Sequence, residues 1–312
     1  MFHFLQNTVY LAALMATLFA APVEAKTRYN VWAKEKIRYN YERVQTDPYN
    51  AKLRVLLGNA YFADGDLIRA LAQIEQAIEL DSAYAEAHCN LAIVLQAQSR
   101  ATDAETSYRR ALDLDPTLVD AMAGLGTLLC RRLQHGEGID YLAKTLEYDA
   151  QRDDARFNLG VAFHRVGDYR RAVEQLEALR ARHVEFPGSD RALSQAYFAR
   201  GLALFDAQLV SDAITFFDKA TALHEHADMH YAAGLAHMKL EDLPAAETAF
   251  ARAIEMETDH VPALHNLAVL YEQTGRLEMA TALLNRVVEL TPHLATIDAA
   301  RNASYDETIL ME

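Results

Sequence analysis

The chain has 312 residues, of which 51% are hydrophobic and 24% charged, and its formal net charge is −14. Such a composition folds, and the length suits two ordinary domains or one extended repeat array. The acidic balance excludes a general nucleic-acid role, since phosphate binding needs a basic stripe, and two cysteines exclude a disulfide framework.

The first element is apolar. "VYLAALMATLFAA" (9–21) is short for a bilayer span. Pro22 ends it, and Val23-Glu24-Ala25 offers small residues where a signal peptidase cuts. The expectation is a signal peptide over 1–25, cleaved after Ala25, and a periplasmic or secreted product. Against it, Lys26, Arg28, Lys34, Lys36, Arg38 and Arg43 follow the run, facing only Glu35 and Glu42. Such a basic flank favours the cytoplasm if the run stays as an anchor, so a membrane-anchored adaptor is the alternative. Residues 26–50 read as an N-terminal capping helix, its helical part spanning 29–45.

From residue 51 the sequence repeats. "AKLRVLLGNAYFADGDLIRALAQIEQAIELDSAY" (51–84) aligns without a gap on "AEAHCNLAIVLQAQSRATDAETSYRRALDLDPTL" (85–118). Counting within each repeat, position 8 reads Gly58, Ala92, Gly126, Gly160, Gly201, Gly234, Ala268. Position 20 reads Ala70, Ala104, Gly138, Ala172, Ala213, Ala246, Ala280. Position 24 reads Ile74, Tyr108, Leu142, Leu176, Phe217, Phe250, Leu284. Small residues at 8 and 20 let the two helices of a hairpin cross closely, and the large residue at 24 fills the space between hairpins. No hairpin buries its apolar face alone, so stacking must supply the core. Repeats 1–4 fill 51–186, a helix-breaking joint is expected over 187–193, and repeats 5–7 fill 194–294. Repeat 3, with Gly138, Thr145 and no turn glycine, is expected to be the softest. Residues 295–303 read as a C-terminal capping helix and 304–312 as a tail.

The 34-residue period, Leu57-Gly58, Leu159-Gly160, Gly65-Asp66, Gly167-Asp168 and the Leu114-Asp115-Pro116 exit resemble the tetratricopeptide repeat family. The resemblance covers about 244 residues and implies an all-α, right-handed superhelical solenoid of seven hairpins. It also implies a non-enzymatic scaffold or adaptor that holds a protein or peptide partner in a concave groove.

On the first helix of each hairpin, positions 4, 7, 8 and 11 face the second helix, which leaves 2, 5, 9 and 12 on the opposite face. The expected groove residues there are Asn59, Phe62, Phe157, Phe198, Leu202, Phe205, Tyr231, Leu235 and Met238. Asn90, Asn158 and Asn266 stand at position 6, where family members grip a peptide backbone. Glu86, Asp120 and Asp154 at position 2 favour an apolar, basic segment. Self-association and occupation by the chain's own tail are the rival uses of the groove. Cys89 and Cys130 are expected on the same face, beyond disulfide reach.

"HEHADMHYAAGLAH" (224–237) holds four histidines, and His226 and His230 are one helical turn apart, as in many zinc sites. In the repeat register, however, His230 stands at position 4 and His237 at position 11, both packing positions. A metal-binding exported protein using His224 to His237 is therefore only an alternative. No phosphate loop and no nucleophile–base arrangement is present, so neither an enzyme nor a cofactor is expected. The envelope assembly process that such an adaptor would serve is not specified by any motif.

Overall fold

The computed structural model describes residues 23–182 and 186–292, with side chains from residue 31. The expected segments 1–22 and 295–312 lie outside the described residues. Fifteen helices and no strand are found among the described residues. Helix α1 (Val23–Thr46) precedes the array, and its first turn contains Ala25. The hairpins follow as α2 (Ala51–Ala63) with α3 (Leu67–Leu80), α4 (Ala85–Ala97) with α5 (Ala101–Leu114), α6 (Val119–Arg131) with α7 (His135–Tyr148), and α8 (Asp153–Arg165) with α9 (Tyr169–Arg180). Then come α10 (Ser189–Asp206) with α11 (Val210–Leu223), α12 (Ala227–Lys239) with α13 (Leu243–Met256), and α14 (Val261–Gln273) with α15 (Leu277–Leu290). Two compact units divide the chain, Met1–Pro187 and Gly188–Glu312.

Within each unit every hairpin packs on the next, and in the first unit α1 packs on α2. The small–large pairing sets the distance. A Cβ added to Gly58, Gly160 or Gly201 would stand 2.7, 2.7 and 2.6 Å from Ile74, Leu176 and Phe217 of the same hairpin. Position 20 and the first six residues at position 24 are buried, with exposure no higher than 2% at Ala70, Ala104, Ala172, Ala213, Ala246, Ala280, Ile74, Tyr108, Leu142, Leu176, Phe217 and Phe250. Leu284 at the end of the second unit is half-buried. Each unit is thus a solenoid whose core is the space between hairpins.

All seven hairpin turns place position 15 in the left-handed region. Gly65, Gly167 and Gly275 do so at φ +84°, +79° and +73°, while Ser99, Leu133, Gln208 and Glu241 hold φ between +60° and +65°. At Gly138 of the third repeat the two helices cross in close contact. The glycine's absent side chain is replaced by the Cys130 sulfur, 2.5 Å from where a Cβ would be, and by the Gly126 carbonyl.

The expected joint at 187–193 is shorter in the structure. Only Pro187 and Gly188 lie between Phe186 and α10, with Gly188 at φ +79° as the cap. Residues 189–193 contain no helix breaker and extend α10 by more than a turn, so Ser189 is its first residue. Leu193 is fully buried, and Ser194 donates to the Ala220 carbonyl at 2.9 Å.

Candidate partner-binding groove

The first helix of each hairpin positions the candidate groove, and position 12 proves to be a packing position. Phe62 is 4% exposed and lies in the core of the first unit. Gln96 accepts from the Tyr108 hydroxyl at 3.2 Å, Cys130 fills the gap at Gly138, and the His164 ring meets Tyr169 edge-on at 5.5 Å. Phe205 and Met238 are half-buried against cores of the second unit, with Lys239 4.9 Å above the Phe205 ring. One turn beyond the small residue at 8, the side chain at 12 reaches the start of the second helix instead of leaving it. This corrects the expected placement of Phe62 and Cys130 on an open face.

Position 5 divides the repeats. Val55, Cys89 and Ala123 are buried. Phe157 is half-buried and packs on Phe186 with ring centroids 4.8 Å apart. Phe198 packs on Phe217 at 5.8 Å, and Tyr231 packs on Phe250 at 5.9 Å and on His260 at 5.2 Å. At position 9, Asn59, Val161 and Leu235 are half-buried, and Leu202 is 39% exposed. What stays open in the second unit is a strip made of Phe198, Leu202, Tyr231 and Leu235, narrower than the sequence pattern implies.

Two of the three asparagines at position 6 link neighbouring hairpins. Asn158 donates to Thr127 Oγ1 at 3.1 Å, and Asn266 donates to the Tyr231 hydroxyl at 3.1 Å and the Pro262 carbonyl at 3.0 Å. Asn90 is 7% exposed and donates to the Glu86 carbonyl at 2.7 Å. Buried carbonyl oxygens on Asn59 and Asn90 have no hydrogen-bond partner.

The acidic character at position 2 is reduced by a cation that nothing in the sequence pattern flagged. Arg152, the last residue of repeat 3, is 3% exposed and sits 2.6 Å from Asp120 and 3.0 Å from Asp154. Burial opposes its charge, but the carboxylates of Asp154 and Asp120 hold the guanidinium firmly protonated. The counterpart in repeat 6 is His260, 6% exposed. Its Nδ1 accepts from the Ala263 N–H, and its Nε2 donates to Asp228 at 3.1 Å. Arg152 and His260 each stand 32 positions after the position-2 carboxylate they bind, Asp120 and Asp228.

Each histidine of the 224–237 cluster has its own work. His224 caps the end of α11 and is exposed. His226 caps α12, accepting from the Asp228 N–H at 3.3 Å. His230 Nε2 stands 3.6 Å from Glu225, which also takes Arg252 at 2.9 Å, and His237 Nδ1 stands 3.6 Å from Asp242. At position 4 of other repeats Arg54, His88 and Arg156 grip the Pro48, Ser82 and Ala150 carbonyls of the preceding loop, whereas the buried His230 Nε2 makes no hydrogen bond. Among the described residues no group of three His, Cys, Asp or Glu side chains could hold a metal ion. Burial pushes both the Cys89 and Cys130 thiols up, away from reactivity. Among the described residues no helix is long and apolar enough to cross a membrane.

Comparison with known proteins agrees with this geometry. Residues 58–99 match a TPR repeat model, and residues 85–118, 165–228 and 231–295 match tetratricopeptide repeat models. The human protein O-mannosyl-transferase TMTC3 is 24% identical over 66% of this chain. Anaphase-promoting complex subunit 3 of Schizosaccharomyces pombe is 22% identical over 43%. The chain spans only about a fifth of either relative, 22% and 20% respectively. Among solved structures, the C-terminal part of a TPR repeat-containing protein from Cytophaga hutchinsonii superposes with a TM-score of 0.54 at 15% identity, covering 75% of this chain and 94% of that one. PilF of Pseudomonas aeruginosa gives 0.45 at 18% identity, covering 68% and 94%. By repeat register, hairpin geometry and the repeat models, which together match more than half of its length, the chain belongs to the tetratricopeptide repeat family.

Proposed function

We propose that this chain is a non-enzymatic adaptor that holds an apolar segment of a partner protein along the strip Phe198, Leu202, Tyr231 and Leu235. The repeat fold itself is one built for protein–protein interaction. The supporting observation is Leu202, 39% exposed on a helix whose neighbouring aromatic rings are half-buried and held in place from behind. A side chain of this size left open beside aromatic rings packed from behind offers an apolar contact for a partner segment. The acidic overall charge of −14 favours a segment carrying basic residues beside its apolar ones. The process we assign is envelope assembly or secretion, on the strength of the apolar run at 9–21 and the small residues at Val23 and Ala25.

The test is photo-crosslinking from position 202 in cells, with the captured species identified by mass. One foreign protein, lost when Leu235→Asp is combined with Phe198→Ala, supports the reading. Crosslinks to residues 304–312 or to a second copy would overturn it. The mass of the purified chain separates an exported product starting at Lys26 from an anchored one.

A further inference from the structure

The charge of this protein is unevenly placed. Residues 1–54 carry eight basic side chains (Lys26, Arg28, Lys34, Lys36, Arg38, Arg43, Lys52 and Arg54) against Glu24, Glu35, Glu42 and Asp47, a net of +4. With −14 for the whole chain, residues 55–312 therefore carry −18. Helix α1 displays much of this excess. Its inner face, Ala33, Asn40 and Val44, is at most 7% exposed, and Asn40 donates to the Leu56 carbonyl at 3.3 Å. That contact fixes which side points out. Lys34, Lys36, Arg38 and Arg43 are all exposed, together with Val31 (54%), Tyr39 (56%) and Tyr41 (50%). Tyr49, in the turn that follows, is 82% exposed.

Trp32, Lys36, Tyr39 and Arg43 follow one another at helical spacing along one flank of this exposed surface, and Lys34, Arg38 and Tyr41 lie on the other. Lys36 lies 5.9 Å above the Trp32 ring and Arg43 lies 5.4 Å above the Tyr39 ring. Glu35 and Glu42 are exposed on the same helix and reduce the excess without cancelling it. Amphipathic rings beside Lys and Arg suit the boundary between lipid headgroups and acyl chains, where the ring enters and the cation meets phosphate. We infer that the outer face of α1 is a docking surface for anionic phospholipid headgroups. The apolar run at 9–21 ends five residues before Lys26, so whatever brings that run to a bilayer brings α1 with it. The apolar run at 9–21 has a bilayer interior to enter and no counterpart on a nucleic-acid backbone, so the two segments together favour a membrane.

The experiment is co-sedimentation of the full chain with vesicles of phosphatidylcholine alone or containing about a third phosphatidylglycerol, at low and physiological salt. Retention on neutral vesicles reports the apolar run and serves as the baseline. The expected result is a gain of roughly fivefold or more on anionic vesicles at low salt, reduced at physiological salt. It should vanish when Lys34, Lys36, Arg38 and Arg43 are all changed to Gln, with the thermal midpoint unchanged. The pair Lys34→Gln and Arg38→Gln should lose about half of the gain, which keeps the test valid if the fourfold variant misfolds. No gain on anionic lipid, or a gain that survives in the fourfold variant, would overturn the inference. So would capture by soluble polyglutamate without any capture by anionic vesicles, which would point to an acidic protein instead.

Discussion

Arg152 in the first unit and His260 in the second occupy the same place in the repeat, the last residue of one hairpin, buried against the position-2 carboxylate 32 residues earlier. The joint is alike and the chemistry is not. Arg152 keeps its charge at any accessible pH and is clamped by two carboxylates, Asp120 and Asp154. His260 donates from a neutral ring to Asp228 and uses its other nitrogen to cap α14. A stacking joint therefore requires a donor that reaches back, and the fold accepts either an ion pair or a neutral hydrogen bond there. The two choices should differ in strength.

The largest expected effect is at Arg152. Changing Arg152→Met leaves Asp120 and Asp154 facing each other half-buried without a cation, a loss of about 3–5 kcal/mol. His260→Ala removes one hydrogen bond and one cap and should cost about 1–3 kcal/mol. Segment-resolved hydrogen exchange would read both, since each loss should appear in its own unit. Equal losses would break the comparison.

Next comes the hairpin crossing, which the two units share. A Cβ at Gly160 would stand 2.7 Å from Leu176 Cγ, and one at Gly234 would stand 2.5 Å from the Phe250 ring. Gly160→Leu and Gly234→Leu should each cost about 3 kcal/mol, because overpacking a close crossing forces the backbone apart. An unchanged melting temperature in either variant would remove the repeat register on which the comparison rests.

That register was legible because it is written in size. Small residues at 8 and 20 and a large one at 24 recur every 34 residues, and their burial follows from the crossing alone. The start of the fifth hairpin was not readable, since residues 189–193 join its first helix, and neither was the Cys130 sulfur that stands where a Gly138 side chain would. The groove was less legible. Period alone sent Phe62 outward, and yet a side chain at position 12 leans back along its helix and touches the start of the next. Nor could spacing reveal that Asn158 and Asn266 spend their amide hydrogens on Thr127 and Tyr231, since those partners lie a whole repeat away. Arg152 was missed for the same reason: its carboxylates are neighbours only after stacking. The cluster at 224–237 shows the converse, where local density of histidine suggested chemistry and the register assigned each ring to a cap or a loop contact.

Acidification should separate the units further. Burial holds the His230 pKa below its ordinary value of 6.5, with Glu225 only partly offsetting this. The folded state thus prefers the neutral ring. Its contribution is complete above pH 6.5 and declines as the pH falls from there through the lower folded value, because the unfolded chain binds the proton first. In the first unit, Asp66 and Asp168 are held below the usual carboxylate range chiefly by the backbone N–H groups of Arg69 and Arg171. Their contribution is present above the ordinary value of 3.8 and is lost only as the pH falls below it. Hydrogen exchange between pH 7.5 and 5 should therefore show the second unit weakening first, and His230→Gln should flatten that slope. A first unit that loosens at pH 6 would contradict the assignment.

The smallest effect tests what the units have in common. Leu133 in the first unit is 79% exposed at φ +64°, and Glu241 in the second is exposed at φ +60°, at the turn position that Gly65, Gly167 and Gly275 fill elsewhere. A non-glycine residue in the left-handed region costs roughly 1–2 kcal/mol. Glycine returns about 0.5–1 kcal/mol of that to the unfolded chain as added freedom. The balance favours Leu133→Gly and Glu241→Gly by a few tenths to about 1 kcal/mol each, read as a rise in the denaturation midpoint. Since neither side chain is buried, little packing is lost to confuse the sign. If only one of the two variants gains, the turns are not equivalent, and the difference between the units extends beyond Arg152 and His260 to the hairpins themselves.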